Sequence, residues 1–134
     1  MLQRDYIQRL IREFMAALQR LVEKDEIKDR QAAVHELFSR YLGDSTFFNT
    51  APLDDVMHWF EKYPEDERLE RIEMLAELYY AEADDMSEPV RTEILERAFM
   101  LFDFIDRHSR TFSIERKEKM SRILSLKAAN GGKG

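Results

Sequence analysis

A single glycine, Gly43, interrupts the first 130 residues of this 134-residue chain, and the other three fall within the last four positions. The three prolines, Pro52, Pro64 and Pro89, stand where helices can begin or end. Strand-rich domains consume Gly, Pro and Asn in their many tight turns. A chain so poor in turn residues, with apolar side chains returning every three to four positions, is left with stacked helices. The expected fold class is all-α, with five or six antiparallel helices.

The periodicity places these helices over about 2–24, 26–42, 50–63, 65–84, 88–108 and 113–127. The first carries Tyr6, Ile7, Leu10, Ile11, Phe14, Leu18, Leu21 and Val22 on one broad stripe. Gly43 is expected to stop the second in the left-handed cap position. Residues 44–50 form the most turn-like internal stretch, closed by tucking in Phe47 and Phe48. On the fourth helix, Glu67 and Arg71 stand four apart and are expected to pair on its outer surface. The fifth is apolar at seven of eight positions from Ala98 to Ile105, which marks it as a central helix packed on two sides. Residues 1–127 are expected to form one domain and 128–134 a loose tail.

The net charge of −6 conceals a polarity along the chain. Residues 1–50 hold 8 basic and 8 acidic groups, residues 51–106 hold 5 and 17, and residues 107–134 hold 8 and 2. An acidic middle repels nucleic acid and anionic membranes, while the basic end either meets an acidic partner or folds back on that middle. Arg110, Arg116, Lys117, Lys119, Arg122 and Lys127 lack interleaved aromatics beyond Phe112, so nucleic acid is disfavoured.

Other classes drop out on residue type. The absence of cysteine removes disulfides, thiol catalysis and Cys-based zinc sites. Arg4, Arg9 and Arg12 break the N-terminal apolar run, and no stretch approaches the roughly 20 residues a membrane helix needs. A cytoplasmic protein without a membrane span is expected. Asp55 and His58 have the i, i+3 spacing of di-iron bundles, but His35 and His108 have Ala32 and Ile105 three residues before them, so the second pair is missing. With no nucleophile elbow or phosphate loop either, no catalytic, metal or cofactor residue is expected, nor any identifiable small-molecule substrate.

What remains is a non-catalytic module for protein–protein interaction or scaffolding. The expected contact surfaces are a groove beside the third and fourth helices (His58, Trp59 and Tyr80) and a Met100–Phe104 ridge on the flank of the fifth. Large aromatics and methionine recur at interfaces. The ridge also admits a homodimer paired through the fifth helix, and a carboxylate–histidine metalloenzyme is the remote alternative.

Three segments, Asp5-Tyr6-Ile7-Gln8-Arg9-Leu10-Ile11, Leu75-Ala76-Glu77-Leu78-Tyr79-Tyr80 and Thr111-Phe112-Ser113-Ile114-Glu115-Arg116, carry a likeness. Together they resemble a family of small uncharacterised bacterial proteins whose helices are likened to tetratricopeptide repeats. The resemblance implies a right-handed stack of helical hairpins and a helical interaction surface. It implies no activity and assigns no site residues.

Overall fold

Breaks in the apolar pattern at 23–26, 42–44, 51–52, 84–89 and 109–113 divide the chain into helices joined by short connections. In the computed structural model, which describes residues 2–131, the elements are α1 (Leu2–Val22), α2 (Ile27–Tyr41), α3 (Ser45–Thr50), α4 (Leu53–Trp59), a 3-10 turn (Phe60–Lys62), α5 (Glu65–Ala83), α6 (Val90–His108) and α7 (Ile114–Gly131). The fold is all-α, with seven α-helices and no strand among the described residues.

Three findings revise the expected boundaries. The turn-like stretch 44–50 is a short helix, because the Asp44 carboxylate accepts the Thr46 N–H at 3.0 Å and caps it. The helix expected over 50–63 is shorter: it starts after Pro52 and tightens into the 3-10 turn at Phe60. The last helix continues to Gly131, past the expected limit at Lys127, and Asn130 donates to Glu88 at 2.5 Å. Residues 132–134 of the expected tail lie outside the described residues. Glu88 caps α6 with its side chain, accepting the Thr92 N–H at 3.0 Å.

Gly43 follows α2, but no glycine among the described residues has positive φ. Its N–H instead reaches the Phe38 carbonyl at 2.7 Å, and a Cβ there would meet Phe48 and Trp59 at ordinary contact distances.

The core is built around α5 rather than α6. Met74, Leu75, Ala76, Leu78 and Tyr79 are all fully buried, so α5 is enclosed round most of its middle turns. It packs against α1, α2, the 3-10 turn and α6, whereas α6 lies between α5 and α7. On α1, Ile7, Phe14, Leu18 and Leu21 face inward, while Tyr6 and Val22 at the stripe's margins stay exposed. Arg30 fastens the end of the α1–α2 hairpin to the end of α5. It binds Asp85 through Nη2 at 2.8 Å and Nε at 3.0 Å, and donates to the Lys24 and Asp25 carbonyls.

Aromatic rings fill the other end. Phe48 meets Phe38, Phe47, Trp59 and Phe60 with ring centroids 4.9–6.4 Å apart. A helix as short as α3 leaves its last carbonyls without intrahelical partners, and here side chains from other helices meet that of Phe48 and that of Ala51, the C-cap residue. Arg97 on α6 donates to the Phe48 carbonyl at 3.1 Å and to the Ala51 carbonyl at 2.5 Å. The Tyr79 hydroxyl on α5 also donates to the Phe48 carbonyl. Burial pushes the Tyr79 phenol up to about 12, so it stays a donor at any physiological pH.

Arg97→Ala strips the Ala51 carbonyl of its partner and leaves Phe48 with one donor. It is expected to cost about 1–3 kcal/mol, read as a lower urea midpoint at unchanged slope. Tyr79→Phe should cost less, since both carbonyls keep Arg97.

Candidate functional site

Seven of the nineteen residues of α5 are acidic: Glu65, Asp66, Glu67, Glu70, Glu73, Glu77 and Glu82. A central helix cannot expose them all, and the structure disposes of them in three ways. Glu67 and Arg71, expected on the outer surface, are buried together. Arg71 Nε and Nη2 donate to Glu67 Oε1 at 3.2 and 3.0 Å, and its guanidinium lies 3.9 Å from the centre of the Tyr63 ring. The chain after the 3-10 turn brings Tyr63 across this pair, which is why helical spacing alone misplaces it.

Glu82 turns toward α2 and α3, at the edge of a cleft of about 260 Å³ that also contains His35, Phe38, Asn49 and Met86. Glu82 Oε1 and Asn49 Oδ1 are both buried without a hydrogen-bond partner. Burial pushes the Glu82 carboxyl up to about 7, only partly countered by Asn49.

The remaining carboxylates form the floor of a groove enclosing about 1690 Å³. Asp66, Glu70, Glu73 and Glu77 recur every three to four residues and therefore share one face of α5, continued by Tyr80 and by Asp84 just past the helix end. One wall is α1, which contributes Ile11, Met15, Leu18 and Val22. The other consists of the α6–α7 connection (109–111) with Arg116 and Lys119 of α7. Gln8 of α1 donates to Glu70 at 3.4 Å. Burial and then the neighbouring Glu77 raise the Glu73 carboxyl above its ordinary value.

The basic terminal helix folds back on the acidic middle to make that second wall. Lys119 Nζ lies 2.7 and 2.8 Å from the two oxygens of Glu77, which is buried. Arg122 donates to the Tyr80 hydroxyl at 2.9 Å and approaches Asp84 at 3.4 Å. Arg116 and Lys117 both bind Asp106 on α6, at 2.9 and 2.6 Å, and hold its carboxyl below the usual range. Lys127 near the other end approaches Glu96 at 3.7 Å, so α7 runs antiparallel to α6. Met120 and Ile123 supply the buried apolar contact of α7. Ser113 caps it at the start, its Oγ accepting the Arg116 N–H at 3.1 Å.

Of the five candidate contact residues His58, Trp59, Tyr80, Met100 and Phe104, only Tyr80 lines this groove; its ring also meets Phe102 edge-on at 6.2 Å. His58 is exposed and pairs with Glu61 at 3.1 Å, a residue three further on rather than the preceding Asp55. Trp59 is half-buried against Phe48, Phe60 and Tyr63, with Lys62 Nζ 3.7 Å from its ring centre. Met100 is 58% exposed, whereas Phe104 is half-buried and stacked on His108 at 4.1 Å. The five residues thus fall on three separate surfaces. The α1 wall escaped sequence reading because its apolar stripe is wider than the core requires, and which edge stays open depends on where α7 lands.

No group of three or more His, Asp or Glu side chains that could hold a metal occurs among the described residues. No helix there is long and apolar enough to cross a membrane.

The Glu82 carboxyl gives a signed pH prediction. Below about pH 4.5 it is protonated in both states and contributes nothing. Between there and about pH 7 the unfolded chain ionises while the folded one keeps its proton, so stability falls as pH rises, by on the order of 3 kcal/mol in full. Glu82→Gln removes this slope, so the urea midpoints of variant and wild type should diverge from pH 5 to pH 8, with the variant the more stable at pH 8.

The chain matches no family model, no curated protein and no solved structure.

Proposed function

We propose that this chain is a non-catalytic helical module that binds another protein along the groove between α1 and α7. The observation that supports this most directly is the groove itself. It is open to solvent, its α1 side sets Ile11, Met15 and Val22, the last 51% exposed, among Gln8, Arg12 and Gln19, and it runs over a continuous face of α5. Apolar surface of this extent beside placed polar groups is characteristic of recognition sites. The paired hairpins α1–α2 and α5–α6, with α7 following, fit the proposed right-handed tetratricopeptide-like stack, in which a bacterial, cytoplasmic chain would use such a surface for scaffolding. The sequence segments resembling that family support the same proposal.

The test is capture from native cells by the wild type, by Met15→Glu in the groove and by Trp59→Ala outside it, with circular dichroism confirming equal helix content. A partner retained by wild type and Trp59→Ala but lost by Met15→Glu supports groove binding. A partner lost only with Trp59→Ala moves the interface to the α4 surface, and equal retention by all three rules out both surfaces.

A homodimer is the second proposal, favoured by the exposure of Met100 on the outer flank of α6. Light scattering on wild type and Met100→Asp decides it: a dimer abolished by the substitution supports pairing through α6, and a monomer at every concentration removes it.

A further inference from the structure

The cleft between α2, α3 and the end of α5 is bordered by polar groups that meet one another. The Asp85 carboxylate is held by Arg30, and the Asp85 carbonyl accepts from the Gln31 side chain at 3.2 Å. His35 Nδ1 and the Ser45 hydroxyl lie 3.2 Å apart. Two oxygens lining the same cleft are the exception: Glu82 Oε1 and Asn49 Oδ1 are buried, and no donor reaches either of them. They are the only such side-chain atoms among the described residues. A buried acceptor left bare costs stability, so two of them side by side in one cleft call for a reason. Burial and a side-chain hydrogen bond with Asn49 act on the Glu82 carboxyl, and no cation of this chain is among the influences on it.

We infer that this cleft binds a small primary ammonium ion whose N–H groups donate to Glu82 Oε1 and Asn49 Oδ1. Two bare acceptors, one of them a carboxyl oxygen, match a donor that also carries positive charge. An inorganic cation is the poorer match. No group of three His, Asp or Glu side chains gathers here to ligate a metal, and hard cations take about six or more oxygens. Val34, Phe38 and Met86 also line the cleft and suit a hydrocarbon tail. At about 260 Å³ the cleft lies below the range of drug-sized sites, so that tail has only a few carbons. Both oxygens are closed to solvent, so entry requires a side chain to swing. Half-buried Met86, unbranched and flexible, is placed to do so. The raised Glu82 pKa supports the same reading, since a bound ammonium supplies the charge that lets the carboxyl release its proton. The cleft shares no lining residue with the groove, so this inference stands apart from the groove-binding proposal.

The test titrates n-propylammonium chloride into the full chain at pH 8, above the Glu82 value of about 7, at constant ionic strength. Amide and methionine-methyl spectra are followed. Shifts are expected over 34–38, 45–49 and 82–86, with the Met86 methyl among the largest, and a dissociation constant near or below about 1 mM. Glu82→Gln keeps the shape but removes the charge, and should weaken binding by about tenfold or more. Asn49→Leu keeps the bulk but removes the acceptor, and should weaken it as well, while Glu93→Gln on exposed α6 leaves it unchanged. Propan-1-ol lacks the charge and propyltrimethylammonium lacks the N–H donors, so neither should bind. The amide spectrum of each variant checks its folding; should Asn49→Leu fail to fold, Glu82→Gln and the two analogues still decide.

Absence of shifts in the cleft well above about 1 mM would overturn the inference and leave the Glu82 proton to serve both oxygens. Equal affinity for Glu82→Gln, or equal binding of either analogue, would overturn it too, because the cleft would then select apolar bulk or charge alone. Displacement of propylammonium by sodium or potassium at equal concentration would assign the cleft to an inorganic cation instead. Tighter binding of a lysine capped at both ends would give the cleft to a protein side chain and overturn the small-molecule assignment. None of these results bears on partner capture through the groove.

Discussion

A central helix bearing seven carboxylates is the constraint around which this molecule is arranged. Burying a charge without a partner costs several kcal/mol, so each acid on α5 requires a solution of its own. Glu65 and Asp66 sit in the first turn, where the helix dipole favours them. Glu67 takes Arg71 under the Tyr63 ring, and Glu77 takes Lys119. Glu82 has no such cation, and at Glu73 burial and the neighbouring Glu77 outweigh the nearby Arg116 and Lys119, so both hold their protons more tightly. The position of α7 follows from this: its cations complete the burial of a helix whose own sequence would otherwise belong on the surface.

The same logic explains why the aromatic end of the domain is tied down by polar groups. The short helix α3 ends on carbonyls that it cannot satisfy itself. Tyr79 and Arg97 reach them from α5 and α6, fixing the Phe48 cluster to the main hairpin. One residue of α5, Tyr79, therefore serves core packing and polar satisfaction at once, while its neighbour Tyr80 faces the groove and the cations of α7.

The all-helical class and the approximate span of every long helix were legible from periodicity and punctuation. So was the fold-back of the basic end, which charge distribution posed as one of two outcomes. Less was legible about burial. The apolar run of α6 suggested that it was central, yet α5, with seven acids, is the more enclosed helix, because long-range cations offset what its own composition predicts. Glu67 and Arg71 read as a surface pair for the same reason: nothing within one turn of helix reveals that Tyr63 will lie across them. Of the candidate contact residues, Tyr80 could be assigned to the groove only once α7 was in place, and Met15 and Val22 gave no local signal separating groove wall from core.

That α7 is held largely by charge has a consequence for how the molecule comes apart. Only Met120 and Ile123 anchor it deeply, beside pairs to Glu77, Asp84, Glu96 and Asp106. Guanidinium chloride is itself an electrolyte and screens such pairs at concentrations far below those that dissolve an apolar core, whereas urea does not. The two denaturants would therefore act on different weak points of one domain. A single cooperative transition in urea would split in guanidinium chloride into an early release of the terminal segment and a later collapse of the hairpins.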